Sequence, residues 1–102
     1  MQLPPQCWAY YLPGFSGPEY TLPADCGGGM NHYCLGLLEL NRARKFIGRT
    51  RAAERGLVLG RARGDLHYTL QAIENYPSCS IRADIERSTA EADALWKATQ
   101  RR

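Results

Sequence analysis

The spacing of apolar residues indicates an α-helix that begins near Asn31. From this point apolar side chains recur every three or four residues, which places them on one face of a helix. They are Tyr33, Cys34, Leu37, Leu38 and Leu40. Basic residues accumulate toward Lys45, where they suit the negative end of the helix dipole. The pattern predicts a first helix that ends near Gly48.

Two later segments have the same helical spacing. The apolar stripe of the second consists of Leu59, Ala62, Leu66, Leu70, Ile73 and Tyr76. Pro77 is expected to stop this helix, because proline withholds a backbone donor. The third helix is expected to begin at an N-cap serine, Ser78 or Ser80, and to run nearly to the end of the chain. Its apolar positions are Ile81, Ile85, Ala92, Leu95 and Trp96.

Three glycines interrupt the second predicted helix: Gly56, Gly60 and Gly64. Each costs up to about 1 kcal/mol relative to alanine inside a helix, so a compensating interaction is required. We expect a neighbouring helix to approach closely over these positions.

The first 29 residues follow neither a helical nor a strand period. They contain five of the six prolines, five glycines and half of the aromatic residues, which are Trp8, Tyr10, Tyr11, Phe15 and Tyr20. We interpret residues 1–29 as an irregular arm that packs on a helical body formed by residues 30–102. Because no segment predicts a strand, the expected fold is all-α, a small antiparallel array of three helices.

Four cysteines in a chain of 102 residues predict two disulfides and an oxidising compartment. Four cysteines allow three pairings, and their spacing does not choose among them. The residues after Met1 contain neither the basic nor the apolar region of a signal peptide. We therefore expect a precursor with an export signal, and a periplasmic or otherwise exported protein. No run approaches the roughly 20 apolar residues of a membrane span.

Positive charge is concentrated in the middle of the chain. The net charge is +3, yet residues 1–41 contain no Lys or Arg. The basic patch consists of Arg42, Arg44, Lys45, Arg49, Arg51, Arg55, Arg61 and Arg63, and the only acid among them is Glu54. Such a patch can attract an acidic protein, a membrane surface or a nucleic acid, or it can be a solvated face. The modest net charge, the acids of the third helix and the expected export disfavour nucleic acid.

A metal or thiol-redox site is an alternative centred on Cys34, Cys7 and His32. Imidazole and thiolate suit zinc or copper, and Cys26 could contribute a further ligand. However, residues two apart on a helix point about 200° apart, and no CxxC or HxxxH motif supports the site. A free Cys34 in the first turn of a helix would have a lowered pKa and be reactive.

No motif for catalysis or for a resident cofactor is present, so we expect neither. His67 lies mid-helix with no Cys or Ser placed to act with it, and is expected on the surface. The run Gly27-Gly28-Gly29 lacks the lysine of a phosphate loop and is expected to form a turn. Glu39 is expected to pair with an arginine of the second helix.

Several motifs resemble a family of bacterial exported proteins of tetratricopeptide-like type. They are Leu3-Pro4-Pro5-Gln6-Cys7, His32-Tyr33-Cys34-Leu35-Gly36-Leu37, Leu40-Asn41-Arg42-Ala43-Arg44, Gly64-Asp65-Leu66-His67-Tyr68 and Pro77. The match to the 34-residue repeat is imperfect, because Glu39 and Thr69 stand where aromatics are usual and the interval between the helices is too long. The resemblance implies one irregular helical hairpin, with the third helix beginning the next half-repeat.

The resemblance also implies function and disulfide pairing. Cys7 and Cys34 both lie within the motifs, which favours a Cys7–Cys34 bond and leaves Cys26 to pair with Cys79. Tetratricopeptide-like proteins bind proteins or peptides on a helical groove, so we expect a non-catalytic interaction or scaffold module.

The expected binding surface comprises the first helix and the aromatic residues of the arm. Its main contributors are expected to be His32, Tyr33 and Glu39, with the basic residues Arg42, Arg44, Lys45, Arg49 and Arg51 steering an acidic partner. The apolar stripe of the third helix, including Trp96, further predicts a homodimer. Polyanion or nucleic-acid binding through residues 42–63 is the remaining alternative.

Overall fold

Three α-helices and a preceding arm make up the fold. A computed structural model describes residues 3–46 and 52–100. The helices are α1 (Tyr33–Phe46), α2 (Ala52–Ala72) and α3 (Arg82–Gln100). The arm contains three short 3₁₀ helices, Pro5–Tyr10, Pro18–Tyr20 and Ala24–Cys26. The described ranges contain no strand, and the predicted all-α array is confirmed.

The ends of the helices differ from the prediction in detail. α1 begins at Tyr33, and its expected end at Gly48 lies outside the described residues. α2 ends at Ala72, five residues before Pro77. The predicted N-cap, Ser78 or Ser80, is wrong, because α3 begins at Arg82 and Ile81 takes the N-cap position. The Ser80 amide and hydroxyl both donate to Asp25 Oδ1, at 3.3 and 3.2 Å. The turn between α2 and α3 is thus tied to the arm.

α2 lies between the other two helices and packs along both of them, whereas α1 and α3 contact each other much less. The main core holds the apolar faces that the sequence predicts. Its fully buried members include Leu40, Leu66, Ile73 and Ile85. A smaller cluster lies at the other end of α1, where Leu95 and Trp96 pack on the buried Ala43, Val58 and Leu59.

The close helix approach occurs at a glycine of α1. A Cβ added to Gly36 would lie 3.0 Å from Leu66 Cγ and 3.1 Å from Asp65 Cβ of α2. The expectation for Gly56, Gly60 and Gly64 is wrong, because a Cβ at any of them would meet no atom within 4 Å. These three positions of α2 do not face a neighbouring helix.

Two disulfides attach the arm to the helices. Cys7 bonds to Cys34 of α1, and Cys26 bonds to Cys79 in the turn before α3, which is the pairing that the motifs favoured. All four cysteine side chains are buried, and none of the cysteines is free. Two disulfides indicate an oxidising, non-cytoplasmic environment. Within the described ranges, no helix has the length and apolar character needed to cross a membrane.

The arm has a small aromatic cluster of its own. The rings of Trp8, Phe15 and Tyr20 lie with their centroids 4.9 to 5.8 Å apart. The Trp8 indole donates to the Leu3 carbonyl at 2.8 Å, and the Trp8 ring also packs on the main core. At Gly27 the backbone has φ of +81° and passes so close to the Tyr76 ring that a Cβ would lie 2.5 Å from it. The turn at Gly27 therefore packs against Tyr76, in the segment that follows α2.

Candidate binding groove

A groove lies between α1 and α3, which contact each other much less than either contacts α2. Its volume is about 260 Å³, and the start of the arm closes one side of it. We call it the α1–α3 groove. Its lining residues are Pro4, Gln6, Tyr33, Leu37, Asn41, Arg44, Ile81, Asp84, Arg87 and Ser88.

Helical periodicity explains why these side chains share one surface. Tyr33, Leu37, Asn41 and Arg44 follow one another at intervals of three and four residues, so they form one ridge along α1. Residues 84, 87 and 88 form the facing ridge of α3 by the same rule. Because α2 packs on the other side of both helices, the two ridges are left apart and enclose the groove.

Tyr33 lies on the inner wall of the groove and is only 3% exposed. Burial and the nearby charge of Asp84 raise the pKa of Tyr33 to about 12, and a hydrogen bond with Ser88 opposes this shift in part. The phenol is therefore neutral at any physiological pH, and it serves the groove as a hydrogen-bonding group. The ring also packs into the main core, as its place on the apolar stripe of the first helix predicts.

The charged residues of the groove are held in ion pairs. The Arg44 guanidinium donates to both carboxylate oxygens of Glu91 on α3, at 2.6 and 2.5 Å, and also to the Asn41 side chain. These bonds raise the pKa of Arg44 and lower that of Glu91. Arg87 pairs with Asp84 one turn away on α3. The groove thus combines polar groups with compensated charge.

Gln6 contributes an unusual acceptor. Its Oε1 atom is buried, and no donor among the described residues reaches it. The rest of the side chain is half-buried and lines the groove. Most buried carbonyl oxygens in proteins accept at least one hydrogen bond, so this atom stands out as a place for a ligand donor.

Two of the predicted binding residues lie outside the groove: His32, directly before α1, and Glu39 on α1. His32 Nδ1 is 2.7 Å from Asp65 Oδ1, and the His32 ring lies 4.4 Å from the Tyr68 ring, so His32 belongs to the α1–α2 interface. Glu39 is only 6% exposed, and the prediction that it pairs with an arginine of α2 is wrong. Its carboxylate accepts instead from Arg42 on the same helix, at 3.0 Å.

In the described part of the chain, at least three of the eight residues of the basic patch pair with carboxylates. Arg42 and Arg44 pair with Glu39 and Glu91, while Arg63 of α2 donates to Asp93 of α3 at 2.8 Å. Lys45 is exposed, whereas Arg49 and Arg51 lie outside the described residues. Arginines that already have a counter-ion therefore interrupt the described part of the patch. This weakens the proposal that the patch binds a polyanion.

The metal and thiol-redox alternative finds no support in the geometry. Cys34 and Cys7 are bonded to each other, and His32 is engaged with Asp65, so the three residues offer no joint ligand set. In the described part of the chain, Asp25, Cys26 and Cys79 also lie near one another, with ligand atoms within 4.8 Å. Both sulfur atoms of this group are in a disulfide and cannot act as thiolates.

His67 and Trp96 form part of the α2–α3 surface. His67 is partly exposed, as expected, and its Nε2 lies 2.9 and 3.0 Å from the Asp93 oxygens. Burial acts to raise the pKa of Asp93, but the hydrogen bonds from Arg63 and His67 outweigh it, so the pKa lies below its usual value. The Trp96 ring packs on the smaller core cluster, 5.1 Å from the Arg63 guanidinium.

The reason given for a homodimer is therefore wrong. Leu95 and Trp96 of α3 are covered by the smaller core cluster. Among the described residues, the large exposed apolar side chains lie on the arm, on α1, on α2 and in the turn after it, and not on α3. The oligomeric state itself stays a prediction.

Sequence reasoning found part of the groove and missed the rest. Tyr33 and Arg44 were both predicted as binding residues and do line it. Asp84, Ser88 and Gln6 were not singled out, although the first two share a face of α3 in the sequence pattern. Gln6 had no local signal, because its place depends on a contact with a distant part of the chain.

Comparisons with known proteins leave the family open. No protein-family model matches the chain, and neither a curated protein nor a solved structure matches it. The resemblance to exported tetratricopeptide-like proteins stays a prediction from the sequence motifs.

Proposed function

We propose that this protein is a non-catalytic, exported protein-binding module that holds a short segment of a partner protein in the α1–α3 groove. The observation that carries the proposal is the groove itself, a space of about 260 Å³ lined by hydrogen-bonding side chains. Ligand pockets are typically about 300 to 1,000 Å³, so this one suits one or two residues of a peptide rather than a large cofactor.

The tetratricopeptide resemblance supports the same surface. In that interpretation α1 and α2 are one helical hairpin, and α3 begins the next. Gly36 supports it because this glycine allows α1 to approach Leu66 of α2, as expected for the Leu-Gly pair of the motif. The first helices of successive hairpins then face a common groove, and here those helices are α1 and α3.

The polar groups of the molecule favour binding over catalysis. His32 and His67 each pair with a carboxylate, Asp65 and Asp93 respectively, and both pairs tie one helix to another. Catalysis by a histidine needs a substrate or a nucleophile within hydrogen-bond reach as well. Neither histidine lines the α1–α3 groove, so the proposed site depends on recognition alone.

Export, and more specifically a periplasmic location, is also part of the proposal. The two buried disulfides support it because they require an oxidising compartment to form and persist. A partner met there can be any exported protein with an accessible extended segment. Most charges of the groove are compensated, so steering by the basic patch is a minor contribution.

The test is a selection of peptides on the oxidised, full-length chain, followed by occlusion of the groove. Ser88→Trp places a large ring inside the α1–α3 groove, and we expect it to abolish binding of the selected peptides. Ser78→Trp is the matched control, because Ser78 is exposed in the turn before α3. Equal binding by both variants, with folding confirmed by circular dichroism, would place the interaction elsewhere on the molecule.

A further inference from the structure

The Cys7–Cys34 disulfide determines what the groove can recognise. It joins two dipeptides, Gln6-Cys7 of the arm and Tyr33-Cys34 of α1, and so brings Gln6 to the same wall as Tyr33. Cys7 is fully buried, which fixes the position of its neighbour. The arm therefore supplies a groove residue that three helices alone would not contain.

Gln6 requires a donor that the chain does not supply. Its buried Oε1 accepts no hydrogen bond from the described residues. Gln6 is half-buried and lines the groove, and the last torsion of a glutamine side chain turns easily, so rotation of the amide brings this oxygen to a ligand N–H in the groove. Such a ligand should bind more tightly than one of the same shape that lacks the N–H group.

The charges of the groove disfavour an ionic ligand. Glu91 and Asp84 already neutralise most of the charge of Arg44 and Arg87, so an anionic group would gain less from these arginines than from isolated ones. The arginines reduce the attraction of a cationic group to the two acids in the same way. A charged ligand would therefore lose its own hydration for a small electrostatic gain, whereas a neutral ligand avoids that cost.

We propose that the α1–α3 groove selects an uncharged, extended peptide segment, and that Gln6 determines this specificity by accepting a hydrogen bond from a backbone N–H of the segment. The inference rests on the proposed function, since it names the chemistry of the partner at the same site. A backbone N–H is the donor that every residue except proline carries.

The probes are three sets of fluorescein-labelled nonapeptides, which are uncharged, acidic or basic in composition, titrated against the oxidised full-length chain. We expect the uncharged set to contain the tightest binders, measured by fluorescence anisotropy. Their affinity should change less than about twofold between about 0.05 M and about 0.5 M NaCl, because no ion pair is formed on binding. A preference for acidic or basic peptides, or a tenfold loss with salt, would overturn the inference.

Gln6→Met removes the acceptor while keeping the length of the side chain. We expect this substitution to lower the affinity for the best uncharged peptide about five- to tenfold, which corresponds to the loss of one neutral hydrogen bond. Gln71→Met makes the same change at an exposed position of α2 and should leave the affinity unchanged. Equal affinity of the Gln6→Met protein and the unaltered one would refute the role of Gln6.

N-methylation of the peptide backbone removes the proposed donor on the peptide, whereas Gln6→Met removes the acceptor on the protein. Methylation at one position of the best peptide should weaken its binding to the unaltered protein. The same methylation should not weaken its binding to the Gln6→Met variant any further. This result would identify the methylated N–H as the group that pairs with Gln6. Additive losses at every position would contradict the inference. If the peptides bind and Ser88→Trp abolishes binding, the proposed function survives such a failure. If no peptide of any set binds, both proposals fail.

Discussion

Substitution of Gly36 by alanine tests the packing of α1 on α2. The new Cβ would lie 3.0 Å from Leu66 Cγ and 3.1 Å from Asp65 Cβ. Carbon atoms at optimal separation are about 3.5 to 4.0 Å apart, so the neighbouring side chains must move by a few tenths of an ångström. Leu66 is fully buried in the main core and has little room to move. Overpacking of this kind costs about 1 to 3 kcal/mol.

The helix propensity of alanine opposes this cost. Alanine is about 1 kcal/mol better than glycine inside a helix, so the two effects partly cancel at Gly36. We expect Gly36→Ala to lower the free energy of unfolding by about 1 kcal/mol. Gly60→Ala provides the matched control, because its Cβ would meet no atom within 4 Å. This variant should be stabilised by about 0.5 to 1 kcal/mol.

Urea denaturation of the oxidised proteins, followed by circular dichroism, measures both effects. The difference between the two variants isolates the packing at Gly36, since the gain in helix propensity is common to both. The slope of the free energy against urea should stay the same, which would show that the unfolded states are alike. Equal stabilisation by the two substitutions would refute the close approach of α1 to α2.

Three further predictions concern the disulfides and the pH dependence of stability. Cys26→Ala with Cys79→Ala opens a loop with a sequence separation of 53 and should cost about 4 kcal/mol in urea denaturation. Tyr33 ionises only near pH 12, above the usual 10.0, so it contributes stability that is complete below pH 10.0 and lost as the pH rises toward about 12. Tyr33→Phe should reduce this alkaline loss in thermal melts across that range. Glu91 has a pKa below the usual 4.5, so its contribution is present above pH 4.5 and lost as the pH falls through the lower value. Glu91→Gln should flatten the acid side of the same profile.

Each of these predictions has its own control. Removal of the Cys7–Cys34 disulfide also deletes two buried sulfur atoms, but it opens a loop with a sequence separation of only 27. Its loss should therefore lower the free energy of unfolding by about 0.6 kcal/mol less than loss of the Cys26–Cys79 disulfide. An equal or larger loss there would contradict the chain-entropy argument. The alkaline loss that Tyr33 causes should persist in Tyr10→Phe, which alters an exposed tyrosine of the arm. Glu86→Gln, on an exposed part of α3, is the corresponding control for Glu91, and identical acid profiles for the two would refute the role of the Arg44 pair.

The sequence by itself determined the helices and their buried faces. The three- and four-residue spacing of apolar positions arises within each helix, and it correctly identified Leu40, Leu66 and Ile85 as core residues. Four cysteines likewise indicated two disulfides, and the motifs pointed to their pairing. These features are local or compositional, so they can be recognised before the elements are assembled.

Only the tertiary structure decided which residues meet across elements. The helical period does not specify that Gly36, rather than a glycine of α2, allows the helices to approach. It also does not pair Glu39 with Arg42 or Arg44 with Glu91, since several partners were available to each. Such choices depend on the rotation and offset of one helix against another, which small differences in packing decide.

The α1–α3 groove depends on long-range contacts most of all. Tyr33 and Arg44 could be proposed from α1 alone, but the opposite wall belongs to α3 and the third side to the arm. Gln6 lies in the groove only because Cys7 is bonded to a cysteine 27 positions away. The periodicity of one helix shows which of its faces is buried. A binding site is formed by the space between several elements, so the pattern of a single element cannot predict it.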